Sequence, residues 1–243
     1  MVKLPTNINP APLIEAVVEV RFLPSIPPAA IFGKVYDMIQ KDYGDISSLP
    51  ILQLTEEVLE LDPNLSCQPH YRAGNTRFLL QFGPRIFNVA VLDKNYPGWS
   101  LFRDEILRLF DIFIESGVID SVIRVGIRYI NYFSFNVFEV SNFSICLEEK
   151  SLINEKTLLR VEFSNDHLIT SLQVSNGVQI NIGTEIKQGS IIDLDTFCGK
   201  PNLAGNKSQD FRNLIEDAHQ ALKRRFFSSL RETYVTSLNP QYE

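Results

Sequence analysis

Histidine and cysteine are scarce in this chain, three of each in 243 residues, and tryptophan occurs once. Cys67, Cys146 and Cys198 stand far apart and are odd in number, and no CxxC or Cys/His spacing joins them into a zinc site or a disulfide framework. That usage fits a reducing compartment. His70, His167 and His219 have no second histidine or cysteine three or four residues away, so no metal site is built locally. No run approaches the ~20 apolar residues of a membrane-spanning helix. The N-terminal stretch MVKLPTNINPAPLIEAVVEVRF is broken by prolines and asparagines where a signal peptide needs a continuous apolar core. The expected location is the cytoplasm, with no membrane partner. No GxGxxG follows a strand, and neither GxxxxGK[ST] nor GxSxG occurs, which sets aside the common nucleotide-binding and hydrolase classes. No catalytic residue, cofactor or metal is expected from the motifs present.

Charge sets aside a further class. With 23 Lys and Arg against 29 Asp and Glu, the net charge of -6 opposes a general grip on phosphate backbones, which depends on basic residues releasing counterions. Nucleic acid is therefore not the expected partner; another protein or a second copy of the chain is. The one tight basic cluster, Lys223, Arg224 and Arg225, reads as the solvated face of a helix or as cations suited to its C-terminal dipole. Hydrophobic residues make up 44% and charged residues 21%, the balance of a folded chain rather than a disordered one.

What is abundant is alternation. Over 13 to 22, Ala16, Val18, Val20 and Phe22 point one way and Glu15, Val17, Glu19 and Arg21 the other, the period-2 pattern of a half-buried strand. A helix follows over 27 to 43, with Ser25 as its cap and Gly44 as a left-handed stop. Strands are expected around 51 to 61, 76 to 82 and 85 to 92, then a helix from Ser100 that carries Phe102, Ile106, Leu109, Phe110 and Phe113 and stops at Gly117. A long strand over 122 to 135 sets Ile123, Val125, Ile127, Tyr129, Phe133 and Phe135 against Arg124, Arg128, Ile130 and Tyr132. Further strands are expected near 142 to 149, 158 to 164, 168 to 182 with a turn at Asn176-Gly177, and 190 to 197, before a last helix from Ser208.

The pattern predicts an α+β fold in two similar halves, 1 to 118 and 119 to 243, each an antiparallel sheet backed by a long helix. An internal duplication would explain two echoes. VEVRF at 18 to 22 parallels VGIRY at 125 to 129, an offset of 107, and FR at 102 to 103 parallels FR at 211 to 212, an offset of 109.

PLIEAVVEVRF, YPGW at 96 to 99, RVGIRYIN at 124 to 131 and Ala218-His219 in the last helix resemble a sporadically distributed prokaryotic family of uncharacterised function. The resemblance implies no catalytic set. Its patchy distribution implies a setting such as bacterial defence or toxin-antitoxin modules.

The candidate ligand-binding residues are Glu15, Arg21, Arg128, Tyr132 and His219. Carboxylates and guanidiniums on neighbouring strands can pair bidentately, either as a structural network or as the polar floor of a groove between the two sheets. His219, one residue off the apolar stripe of its helix, reads as a boundary histidine bonding a carbonyl or as an acid-base group. A binding or interaction module is the expected function, with an enzyme or small-ligand receptor using that groove as the alternative.

Overall fold

Strand β1 (Leu13–Pro24) buries Ala16, Val18, Val20 and Phe22 and turns Glu15, Val17, Glu19 and Arg21 to the opposite side, as its alternation requires. This computed structural model describes residues 3–44, 46–92, 96–182, 184–201, 203 and 207–242. After β1 come α1 (Pro28–Ile39), β2 (Ser47–Ser48), α2 (Glu56–Leu61), α3 (Pro63–Ser66), β3 (Tyr71–Gly74), β4 (Leu79–Gly83), β5 (Ile86–Leu92) and α4 (Trp99–Glu115). The chain continues through β6 (Ile119–Phe133), the small hairpin β7 (Cys146–Leu147) and β8 (Lys150–Ser151), β9 (Thr157–Asn165), β10 (Leu168–Ile182) and β11 (Glu185–Gly199). It closes with α5 (Lys207–Ser229) and α6 (Glu232–Ser237).

The fold is α+β, built on one large antiparallel sheet of nine strands in the order β2-β3-β4-β5-β1-β6-β11-β10-β9. The expected pair of sheets is thus a single one. Its cause is the seam between β1 and β6, which pair antiparallel from Leu13↔Asn131 to Pro24↔Ile119 and carry the sheet across the boundary expected near 118. Backbone groups at a strand edge seek partners, and two long strands with matching apolar faces satisfy each other.

The long helices α1, α4 and α5 cover one face. α4 buries Phe102, Ile106, Leu109, Phe110 and Phe113, and α5 buries Phe211, Leu214, Ile215, Ala218, Leu222 and Phe226. Phe113 stacks on Phe87 of β5 at 4.2 Å, and Phe110 stacks on Phe211 at 3.8 Å, locking α4 to the sheet and to α5. One hydrophobic cluster runs from Ile31 on α1 to Phe226 on α5. Its continuity beneath β1 and β6 is the packing counterpart of the seam.

Several local expectations are corrected. The strand expected over 51 to 61 is a 3-10 turn (Pro50–Gln53) followed by α2 and α3. Pro50 and Pro63 each open a helical turn, and Asp62 caps α3 by accepting from the Asn64 N–H at 2.8 Å. The segment 142 to 149 contributes only β7. Asn176-Gly177 is not a turn. β10 runs through it with a register shift against β11 between Asn176 and Val178, and Gly177 takes a φ of 69°, a conformation a bulge needs and side chains resist. Neither Ser25 nor Ser100 caps its helix: Ser25 donates to the Gly117 carbonyl, while α4 starts from Gly98 without a side-chain cap. Gly44 is not among the left-handed residues, whereas Gly117, at φ 68°, ends α4 as expected. No helix among the described residues is long and apolar enough to cross a membrane. Cys67, Cys146 and Cys198 are free thiols.

Candidate functional site

The two faces of the sheet hold their polar groups in different ways. On the helix-free face Arg124 lies at the centre, its Nη1 donating to Glu19 Oε1 at 2.6 Å and its Nη2 to Asp195 Oδ2 at 2.8 Å. Arg21 Nε donates to the same Glu19 oxygen at 2.7 Å. Arg128 grips Asp193 with two bonds, Nε to Oδ1 at 2.9 Å and Nη2 to Oδ2 at 2.6 Å, the bidentate fork of a strong ion pair. Gly126, beside Arg124 on β6, makes the arrangement possible, because a Cβ there would lie 2.6 Å from Arg124 Nη1. A cavity of about 520 Å³ opens over this network, floored by Glu19, Arg124, Asn88 and Gln81.

Glu15 lies at its edge and accepts no hydrogen bond from the described residues. Burial raises its carboxyl pKa, with Arg128 pulling it back and Asp193 adding to the rise. Burial likewise raises Asp195, opposed by Arg124. Asn88 Oδ1 is buried without a partner.

The covered face carries a second cavity, of about 610 Å³, where the sheet's end meets α4, α5 and the N-terminal segment. Tyr129 and Asn131 enter it from β6, Tyr96 to Gly98 from the loop before α4, Trp99 from the start of α4, and His219, Lys223, Phe226 and Phe227 from α5. Pro5 to Ile8 and Ala11 to Leu13 form the remaining wall. That wall is tied to the C-terminal tail: Asn9 N–H donates to Leu238 O at 2.7 Å, Thr6 N–H to Gln241 O at 2.7 Å, and Gln241 N–H to Asn7 O at 2.9 Å.

Inside, the imidazole of His219 lies flat on the Trp99 indole, ring centroids 3.9 Å apart and planes 7° from parallel. Glu216 sets the indole by accepting from Trp99 Nε1 at 2.9 Å and from Arg103 Nη1 at 2.9 Å. His219 is 5% exposed and its Nδ1 is buried with no hydrogen-bond partner. Its Nε2 has no partner among the described residues either. Burial pushes its pKa down to about 3, with the charges of Lys223 and then Arg103 acting in the same direction, so the ring is neutral at physiological pH.

Two more polar groups stand unsatisfied at this cavity. The Tyr96 and Tyr129 hydroxyls share one hydrogen bond of 2.7 Å, and burial raises both pKa values, so both keep their protons. Two hydroxyls carry two protons and only one lies between them, which leaves one O–H donor over. Asn131, 4% exposed, donates through Nδ2 to Ile192 O at 3.3 Å, and its amide oxygen accepts nothing from the described residues.

The expected site residues are divided by the sheet. Glu15, Arg21, Arg128 and Tyr132 occupy the helix-free face, and His219 lies under the covered one. Arg128 bonds Asp193 rather than Glu15, and the Tyr132 hydroxyl donates to Gln188 O at 2.9 Å across the neighbouring strand. Residues that sequence reasoning left out of the site are Tyr96, Trp99, Asn131 and Lys223. One signal pointed to them. The segments singled out for their family resemblance meet at this cavity, through Pro12 and Leu13, Tyr96 to Trp99, Tyr129 and Asn131, and His219.

Among the described residues no group of three or more His, Cys, Asp or Glu side chains is arranged to hold a metal ion. No protein-family model matches this chain, and no curated protein does. Among solved structures, a chain described as "KH domains" aligns at 7% identity over 90% of this chain, with a TM-score of 0.19. The aligned part spans 65% of that chain's length, and a likeness so slight carries no argument about fold or function.

Proposed function

We propose that this protein is a cytoplasmic binding protein for a small organic molecule, with the ligand seated in the aromatic cavity on the covered face. One observation carries the reading: His219 is buried beside open volume with neither ring nitrogen hydrogen-bonded among the described residues. The Nδ1 atom is shut off from the cavity, so the nitrogen that offers a ligand a hydrogen bond is Nε2. The aromatic walls supply apolar area, and the spare hydroxyl proton and the Asn131 oxygen supply direction, the mixture typical of ligand pockets. A neutral imidazole with a pKa near 3 is a hydrogen-bonding group at neutral pH rather than an acid-base catalyst, which favours binding over catalysis. The helix-free face is weaker as a site because three of its arginines, Arg21, Arg124 and Arg128, are engaged by its own carboxylates.

Native mass spectrometry of the gently purified protein tests this. The expected result is a small-molecule adduct on the wild-type chain that is lost in Ala11→Phe, an exposed position at the cavity's wall. A wild-type chain that stays bare and keeps its Trp99 emission after incubation with a cell extract would overturn the reading. A co-purifying polypeptide in place of a small molecule would support the interaction module expected from the sequence.

We also infer that the chain arose by internal duplication. From the seam outward the strand order is β1, β5, β4, β3 on one side and β6, β11, β10, β9 on the other, followed in the chain by α4 and α5 respectively. The register adds support. Shifting Val18↔Ile127 by the sequence offset of 107 gives the pair Val125↔Val20, which also occurs. Val18 pairs with Val89 and Val125 with Cys198, so β5 maps to β11 with an offset of 198 − 89 = 109, the same as the FR echo in the helices. A superposition of 13 to 117 on 122 to 231 that failed to bring α4 onto α5 would sink the idea.

A further inference from the structure

We propose that the protein forms a two-fold dimer through strand β9, two copies joining edge to edge into one continuous antiparallel sheet. This interface is independent of the cavity. The two edges of the nine-stranded sheet differ: one ends in β2, two residues long, and the other in β9, nine residues that pair with β10 from Asn165↔Leu168 to Thr157↔Asn176 without a register shift. Among the described residues no strand pairs with the outer side of β9. A long, regular edge presents a row of unpaired N–H and C=O groups, and β9 holds no proline, lysine or bulge to blunt it. The charges it does carry, Arg160 and Glu162, select the partner.

Alternation fixes which residues meet. Leu159, Val161 and Phe163 are half-buried beside the buried Val174, Leu172 and Thr170 of β10, whereas Leu158, Arg160, Glu162 and Ser164 are exposed on the opposite face. A two-fold axis perpendicular to the sheet keeps like faces together, and only an axis at Val161, the middle residue, pairs the whole strand with its copy. That register sets Arg160 of each copy opposite Glu162 of the other, and Leu159 opposite Phe163. Moving the axis to Arg160 would oppose two arginines, and moving it to Glu162 would oppose two glutamates; like charges directly opposite destabilise a strand pair. Length and charge therefore choose the same register. Within one copy Arg160 Nη2 donates to Glu162 Oε1 at 2.9 Å, with both side chains more than half exposed. The dimer joins the two pairs into a ring of alternating charges, in which each has an opposite charge beside it and another across the interface. Main-chain hydrogen bonds between the strands supply the affinity, as when an extended peptide adds to a sheet edge. The apolar row Leu159, Val161 and Phe163 gains a matching row.

Charge reversal read by sedimentation velocity over a dilution series tests the interface. Arg160→Glu sets a glutamate opposite Glu162, and Glu162→Arg sets an arginine opposite Arg160, so each variant alone should dimerise about tenfold more weakly than the wild type. An equimolar mixture of the two should recover the wild-type affinity, because every opposed pair is then a cation and an anion. A second measurement places the axis. With the exposed Cys146 changed to serine, Val161→Cys should cross-link to its own copy through a short bismaleimide, and Leu158→Cys, carried away from its copy by the antiparallel register, should not. A wild-type chain that stays monomeric throughout the series would overturn the interface. So would single variants that dimerise as tightly as the wild type, a mixture of variants with wild-type circular dichroism that stays monomeric, or cross-linking at 158 and not at 161.

Discussion

The two faces of this sheet contain similar chemistry and use it in opposite ways. On the helix-free face Arg21, Arg124 and Arg128 find carboxylates within the protein, so most of the available interaction is already spent on the fold. On the covered face the His219 ring, the Asn131 oxygen and one tyrosine proton keep hydrogen-bonding capacity unused among the described residues, against the single buried Asn88 Oδ1 at the helix-free cavity. A charged surface attracts notice in a sequence, yet satisfied charges are structure. An unsatisfied buried group beside a cavity is the better sign of a ligand.

Breaking the network at its centre should have the largest effect. Arg124→Ala leaves Glu19 and Asp195 without their shared cation and removes a guanidinium packed 4.5 Å over Phe197. A stability loss of about 2–4 kcal/mol is expected in urea unfolding, with Trp99 emission in the folded state unchanged. Next is the acid response of the covered face. His219 has a folded pKa of about 3 against 6.5 unfolded, so the folded state binds fewer protons; its contribution is complete above pH 6.5 and is lost as pH falls toward 3. His219→Phe should therefore flatten the stability-pH profile, reducing the loss between pH 6.5 and pH 4.5 by on the order of 2–3 kcal/mol. Unfolding of both proteins at the two pH values checks this, and equal slopes would count against a buried neutral imidazole.

Arg128→Ala should cost less, about 1 kcal/mol, because half of its side chain is exposed and solvent screens the pair with Asp193. The smallest effect has the opposite sign. Burial raises the Glu15 carboxyl, so ionisation costs the folded state more than the unfolded one, and stability from this group falls as pH rises above about 4.5. Glu15→Gln should leave stability at pH 7 equal or higher by up to about 0.5 kcal/mol, read from the urea midpoint. A clear loss would mean that Glu15 has a partner and that the contrast between the faces is drawn in the wrong place.

The frame was legible where one period dominates. Ala16 to Phe22 and Val125 to Phe133 alternate cleanly, and both became central strands; the stripe from Phe102 to Phe113 became α4. Between 50 and 66 apolar residues occur without a deep core to receive them, and Leu52, Leu54 and Leu61 remain exposed, so prolines and caps decided the structure there. The site was hidden for a different reason. Trp99 and His219 lie 120 positions apart, as do many groups that meet only through sheet order, and no local spacing reveals a stacking contact or an unpaired nitrogen. The strand parity of Arg128 and Glu15 was readable, but which carboxylate each arginine takes depends on β11, which brings Asp193 and Asp195 beside β6.

The most direct test of the contrast is a crystal structure of the gently purified protein with its co-purifying small molecule. Ligand density against Trp99 and His219, with the helix-free face unaltered, is the predicted result. Density over Asn88 and Arg72 on the helix-free face, with the aromatic cavity empty, would contradict it.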